Sequence, residues 1–248
     1  MIDTFFDFTS ELPNYWEGFW ERRDGLGGGG TDPDKTSLTL REYHRILWSK
    51  KLPNGELMNL EKGDQYTYLK WRDLRLASDA IIVELRYHRY RWVIDEVDKR
   101  LGDYKTFYEN LIRRGYTIGG TIIFPQHTGS INQNRGTNRK ISDRWDLTME
   151  CIRRFYCGEK SPLSETLERD REFFNLFVDF KGYVDYFFLQ DCVSEDYSEV
   201  DVWVGDASFR KCGLPETVND YFEFIRKEHE FLDKRNQRIN EYVQANKL

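Results

Sequence analysis

The sequence predicts an α+β fold: a small, largely antiparallel sheet packed against several helices, with a helical C-terminal half. Three observations predict it. Short strand-like runs separated by turn residues lie near 56–61 and 65–71, with Gly63-Asp64 between them. A β-branched run over 116–124 is stopped by Pro125. From residue 143 onward the apolar residues recur at helical spacing.

The chain has 248 residues, room for one large domain, and no linker divides it, so residues 1–248 are read as a single unit. Aromatic residues make up 16% and can supply much of the buried area of a core. The net charge of −6 argues against a protein that coats DNA through many phosphate contacts. Cys151, Cys157, Cys192 and Cys212 form no CxxC pair and are read as reduced, mostly buried thiols. The N-terminus has neither a basic n-region nor a long apolar h-region, and no apolar run approaches the roughly 20 residues of a membrane span. These features predict a soluble cytoplasmic protein.

Residues 1–24 carry Phe5, Phe6, Phe8, Tyr15, Trp16, Phe19 and Trp20, rings expected to pack onto the main body. The whole 1–36 segment is thus an aromatic and glycine-rich addition to the domain. GLGGGG at 25–30 breaks regular structure. Residues 29–36, GGTDPDKT, approach a phosphate-loop pattern, but Asp34 replaces the second glycine, Pro33 removes a backbone donor and no strand precedes them. A helix is expected from Ser37, with Leu40, Tyr43, His44, Leu47 and Trp48 at helical spacing and Lys50 and Lys51 at its C-terminal end. Residues 52–55, LPNG, form a turn. Residues 74–94 are ambiguous: AIIVEL is strand-like, while Ser78-Asp79 suits a helix cap. Residues 104–114 read as a helix ending at Gly115.

A polar loop spans 126–141, long enough to suggest function. Ser142 or Asp143 caps a helix that runs to Cys157. Ser161-Pro162 opens another, carrying Leu167, Phe173, Phe174, Phe177 and Phe180 and interrupted at Gly182. Residues 183–193 read as buried and aromatic, and 200–204 alternate like a strand. The last helix, 215–245, places Val218, Phe222, Ile225, His229, Leu232, Asn236, Ile239 and Val243 in a heptad seam. It either covers its own domain or pairs in a homodimer.

The chemistry concentrates between 126 and 157. Asn132, Gln133, Asn134, Arg135, Asn138, Arg139 and Lys140 are rich in donors, and Gly129 and Gly136 permit close backbone approach. The loop leads into a helix N-terminus, where free N–H groups favour an anion. Arg135 and Arg144 suit a bidentate grip on phosphate or carboxylate, with Asn132 and Gln133 reading the ligand. Asp143 would compete for the same N–H groups. On the following helix Trp145, Met149, Ile152 and Tyr156 form a core stripe, opposite Asp143, Asp146, Glu150, Arg153 and Arg154. That charged face either lines a cleft or is a solvated surface with Glu150–Arg153 and Glu150–Arg154 pairs. Glu150, Asp146 and His127 are the acid/base candidates if the protein is an enzyme. No HExxH, EF-hand or GxSxG spacing occurs, so no metal site or nucleophile elbow is expected, and no cofactor is indicated.

Several blocks together carry a resemblance: EYHRILWSKKLPNG (42–55), Ser78-Asp79, IGGTIIFP (118–125), SINQNRG (130–136), DRWDLTMECIRRFY (143–156), SPL (161–163) and FKGYVDYFFLQD (180–191). The chain resembles an uncharacterised bacterial family, a domain of unknown function, over roughly residues 32–240. The resemblance implies a soluble bacterial protein and supplies no activity, cofactor or catalytic residue. The leading expectation is an anionic or nucleotide-like ligand bound by the 126–142 loop, Arg135, Arg144 and Arg153. The alternatives are a protein–protein interaction module and an enzyme acting on a phosphodiester.

Overall fold

The computed structural model describes residues 1–23, 32–64, 66–81, 91–135, 139–142, 144–205, 209 and 216–248. The fold is α+β, with a four-stranded antiparallel sheet in the order β1-β2-β3-β4. The strands are β1 (Glu61–Lys62), β2 (Leu69–Trp71), β3 (Leu74–Ala80) and β4 (Thr121–Pro125). Arg72-Asp73 makes the tight β2–β3 turn, with Trp71 opposite Leu74 and Arg72 at φ 53°. The turn expected at Gly63-Asp64 is wider, because β1 pairs Lys62 with Leu69. A Cβ at Gly63 would lie 2.0 Å from the Thr67 carbonyl oxygen, so only glycine fits there.

Residues 74–80 resolve as the longest strand, β3, whose partner β4 is buried at every position. The GLGGGG run, most of AIIVEL, His88, Gly136, Asn138, Asp143, Cys212 and Pro215 lie outside the described residues. The expected strand over 116–124 is shorter: Ile118–Gly120 form a 3₁₀ turn before β4 begins. Crowding explains the turn, since a Cβ on Gly120 would sit 1.8 Å from the Gly115 carbonyl oxygen.

The N-terminal aromatics Phe6, Phe8, Tyr15 and Trp20 pack on the body, whereas Phe5 stays exposed. Phe8 is fully buried and its amide donates to the Tyr116 carbonyl at 3.0 Å. The short α1 (Tyr15–Arg23) and α2 (Pro33–Thr36) lead to α3 (Leu38–Trp48), whose N-cap Ser37 accepts from the Leu40 amide at 2.9 Å. Next come α4 (Arg91–Leu101) and α5 (Tyr104–Gly115), the latter capped by Asp103. The 126–141 loop holds a single turn, α6 (Ile131–Asn134), and α7 (Trp145–Tyr156) follows. Beyond it α8 (Ser164–Arg169), α9 (Arg171–Asn175) and α10 (Phe180–Tyr186) wrap an aromatic core. There Phe177, Tyr183 and Phe187 meet with ring centroids 5.1–5.3 Å apart. Gly182 lies inside α10, where it does not interrupt the helix; a Cβ there would come 2.1 Å from the Phe177 carbonyl oxygen. Residues 200–204 form no strand; Val200 makes one isolated bridge with Val193. The segment instead folds across α7.

The last helix, α11 (Val218–Asn246), begins with a Thr217–Asp220 capping box. Its stripe, including Ile225, Leu232, Asn236, Ile239 and Val243, is buried within this chain, so the helix covers its own core. Arg235, fully buried, donates to the carbonyls of Gly119, Thr121 and Phe187 at 2.5, 2.9 and 3.1 Å. One α11 side chain thereby joins the 3₁₀ turn, β4 and the segment after α10. Among the described residues no helix is long and apolar enough to cross a membrane.

Candidate functional site

The loop after β4 starts at Gln126, whose amide donates to the Arg75 carbonyl on β3 at 2.8 Å. His127 follows, one-third exposed. Its Nε2 lies 2.5 Å from Asp170 Oδ1, and its Nδ1 lies 3.0 Å from the Thr128 carbonyl oxygen. A carbonyl oxygen only accepts, so Nδ1 carries a hydrogen there. The proton between Nε2 and Asp170 completes either an imidazolium–carboxylate pair or a neutral one. Burial pulls the His127 pKa down most, but the hydrogen bonds to Asp170 and to the Thr128 carbonyl, with the Asp170 charge, together outweigh it and leave the ring above its ordinary value. Asp170 is buried, and burial raises its carboxyl despite His127.

Gly129 comes next, at φ 80°, a conformation that suits glycine. A Cβ there would lie 2.8 Å from Arg169 Nη1, so the guanidinium rests against the loop backbone. Arg169 is exposed and has no ion pair among the described residues. Gln133 Oε1 accepts from the Gly129 amide at 2.8 Å, which holds the turn. Asn134 Nδ2 donates to the Gly129 and Ser130 carbonyls at 2.8 and 2.9 Å. Asn132 Nδ2 donates to the Ser78 carbonyl at 3.2 Å and ties α6 to β3. Lys140, which follows α6 in the chain, pairs with Glu165 on α8 at 3.0 Å.

Beneath this rim lies a buried charge cluster. Arg135 is 4% exposed, donates to Asp79 on β3 and sits 5.7 Å above the Trp145 ring. Asp34 on α2, also buried, has its carboxyl pushed up to about 8 by burial first and then by Asp79 and Asp32. The Asp34 carboxyl is thus protonated at neutral pH, beside an Asp79–Arg135 pair.

The α7 residues fall into two separate groups. Arg144 and Asp146 are both fully buried and pair through two hydrogen bonds, the Nε–Oδ1 one at 3.0 Å. Arg144 also donates to the Val204 carbonyl at 2.9 Å, and Asp146 accepts from the Trp203 amide at 2.8 Å. The pair therefore clamps the 203–204 segment onto the start of α7. Glu150 accepts from Arg153 Nε at 2.8 Å and from Arg154 Nε at 2.6 Å. Burial raises its carboxyl, yet these two arginines prevail and hold it below its ordinary value. Arg153 reaches on to Glu159 at 3.3 Å. The charged face of α7 is thus neither an open cleft nor a solvated surface: Asp146 is 0% and Glu150 6% exposed. At Asp146 the cover is the 203–204 segment, distant in sequence, which the helical wheel does not contain.

The structure brings His127, Gly129 and Gln133 together on one rim, while Lys140 pairs with Glu165 on α8. It places Arg135, Arg144, Asp146, Glu150 and Arg153 in internal pairs. Sequence reasoning missed Arg169, Asp170, Asp34 and Asp79 as neighbours of the loop. Their types carried no signal, because each contact spans a separation that no local pattern encodes. Cys151 and Cys192 are buried free thiols as expected, whereas Cys157 is exposed. Among the described residues no cluster of three His, Cys, Asp or Glu could hold a metal ion. An open groove of about 540 Å³ lies at the hairpin end of the sheet, lined in part by Lys62, Lys70 and Arg72. Those three cations are already paired with Glu42, Glu61 and Glu56.

Comparison with curated proteins and with solved structures finds no match. Over residues 2–239 the sequence fits the model of a family of unknown function, DUF6994, and the chain belongs to that family.

Proposed function

We propose that the protein binds an anionic, nucleotide-like ligand on the exposed rim of the 126–135 loop. The observation that carries this reading is the Arg169 guanidinium lying against Gly129, with no carboxylate in ion-pair range among the described residues. His127 stands beside it with its pKa raised, and Gln133 exposes its amide at the same turn. Two adjacent cations over a glycine backbone suit phosphate oxygens, which accept from a guanidinium fork and an imidazolium. Arg135 supports the rim from below, and Arg144 and Arg153 hold α7, so the grip moves from those three arginines to Arg169. If the bound group is a phosphodiester that the protein cleaves, His127–Asp170 is the proton-transfer pair at the rim.

The test is a thermal-shift titration with inorganic phosphate, pyrophosphate and nucleoside mono-, di- and triphosphates at low salt. A ligand at 100 times its dissociation constant adds about 2.7 kcal/mol. The shift disappears in Arg169→Ala and survives in Lys62→Ala, which lies on the groove. No shift from any of these anions, or an undiminished shift in Arg169→Ala, sinks the reading.

A further inference from the structure

Lys50 sits just past the end of α3, half-buried, with its ammonium position enclosed by four aromatic rings. Its Nζ lies 3.9 Å from the Phe188 ring centroid, 4.6 Å from Tyr186, 4.8 Å from Tyr242 and 5.0 Å from Trp48. Trp48 and Tyr186 are buried and form the floor; Phe188 and Tyr242 are partly exposed and form the mouth. The box is built from three separate parts of the chain: the end of α3, the turn after α10, and α11. Phe188 reaches it with its backbone in the left-handed region, φ 56°, which is costly for an aromatic residue.

Nothing in the box neutralises the amine. Among the described residues Lys50 Nζ has no hydrogen-bond acceptor and no carboxylate partner. The charged and titratable groups around it are the Arg235 guanidinium and the Tyr186 and Tyr242 hydroxyls. The Tyr186 hydroxyl is itself turned away, donating to the Trp48 carbonyl. An ordinary surface lysine keeps its ammonium in water or against a carboxylate. This one faces four rings and, among the described residues, no carboxylate.

We propose that Lys50 is a nucleophilic amine that captures an aldehyde as a Schiff base inside this aromatic box. The nitrogen lone pair attacks the carbonyl carbon, a C–N bond forms, and the C=O π pair moves to oxygen. The nitrogen gives one proton to that oxygen, solvent gives a second, and the oxygen leaves as water. The product is a protonated imine. It is a cation, so the ring faces that enclose the ammonium also stabilise the product. Burial, and then the charge of Arg235, push the Lys50 amine down to about 7, which supplies the unprotonated form near neutral pH. The partly exposed rings at the mouth favour a planar aromatic aldehyde, which can stack on them.

The test uses the full chain, 4-formylbenzoate as the aldehyde and sodium cyanoborohydride as the trap, with peptide mass mapping. At pH 7 Lys50 is expected to react at least about tenfold faster than the other lysines, with a rate midpoint near its own titration and not near 10.4. Phe188→Leu removes the nearest ring, widens the mouth to solvent and brings the rate at Lys50 down toward that of the others. Lys50→Arg, which keeps a cation in the box, preserves the fold and abolishes the fast adduct. Labelling of Lys50 no faster than the other lysines overturns the proposal. So does equally fast labelling in a folded Phe188→Leu protein, since the box would then not be the cause.

Discussion

Asn236 on α11 accepts a hydrogen bond from the Gly119 amide at 2.8 Å, and no space for a side chain remains between the two residues. A Cβ on Gly119 would lie 2.5 Å from Asn236 Oδ1. The same Asn236 donates through Nδ2 to Thr117 Oγ1 at 2.8 Å. One buried amide thus fixes the turn that launches β4, and β4 launches the candidate loop. Gly119→Ala is expected to cost about 1–3 kcal/mol through overpacking. Asn236→Ala should cost a similar amount, because it strands the Gly119 N–H in the core. Urea unfolding of the two variants checks both values, and a midpoint unchanged from the parent in either would contradict this account of the turn.

The Arg144–Asp146 pair makes a different kind of prediction. Both side chains are fully buried, so removing one charge leaves the other without compensation. Asp146→Ala is expected to destabilise by about 3–5 kcal/mol. Replacing both, as Arg144→Met with Asp146→Leu, should cost much less than the single change, because no buried charge remains. The loss that persists in the double variant reports the contacts to Trp203 and Val204. A double-mutant cycle by chemical denaturation decides the matter: strict additivity of the two single changes would show that the pair is not coupled.

Asp34, beside the Asp79–Arg135 pair, makes stability depend on pH. Its carboxyl is raised from 3.8 to about 8 in the folded protein, chiefly by burial, with Asp79 next. The folded state therefore holds a proton that the unfolded chain has released between about pH 4 and pH 8. Stability falls as pH rises through that window and levels off above it. Asp34→Asn keeps the shape without the titration, so it should flatten the slope and gain stability at pH 8. Denaturant midpoints at pH 5, 6.5 and 8 for both proteins measure this. A parent whose stability rises across the window would contradict the assignment.

These three predictions also mark how far the sequence could be read. The helices at 38–48, 104–115 and 218–246 were legible because their apolar spacing is local, and Ser37 announces the first of them. The sheet was partly legible, since Pro125 ends β4 within the sequence itself. The α7 surface was not. Glu150 looked like the anchor of two surface pairs and does make both, yet it is buried at 6% exposure, which the helical wheel alone does not announce. Val200–Val204 alternates like a strand but finds no partner edge, and its backbone is recruited by Asp146 and Arg144 instead. The loop at 126–135 stood out as unusual by length and donor content, whereas Arg169 and Asp170 sit in a helix-rich stretch with nothing local to mark them.

The His127–Asp170 contact ties the rim to proton concentration, and its sign follows from the raised pKa of His127. A histidine raised in the folded state contributes stability that is fully present below about pH 6.5 and is lost as pH climbs through the folded value. Asp170, raised by burial, shifts the balance the same way, since the folded pair retains protons that the unfolded chain gives up. His127 is about one-third exposed, so solvent screens the pair and the effect on global stability is small. The local consequence is larger. Below its folded pKa His127 adds a second positive charge beside Arg169, and above it only the guanidinium remains. Phosphate affinity at the rim should therefore weaken as pH rises from 6 to 9, in the range where a phosphate monoester gains charge and would otherwise bind cations more tightly. Asp170→Asn removes the carboxylate that raises the ring, so the His127 midpoint measured by proton NMR should fall and the loss of phosphate affinity should shift to lower pH with it. Affinity that rises with pH in the parent, or a His127 midpoint unmoved by Asp170→Asn, would separate the histidine from the anion site and leave Arg169 to act alone.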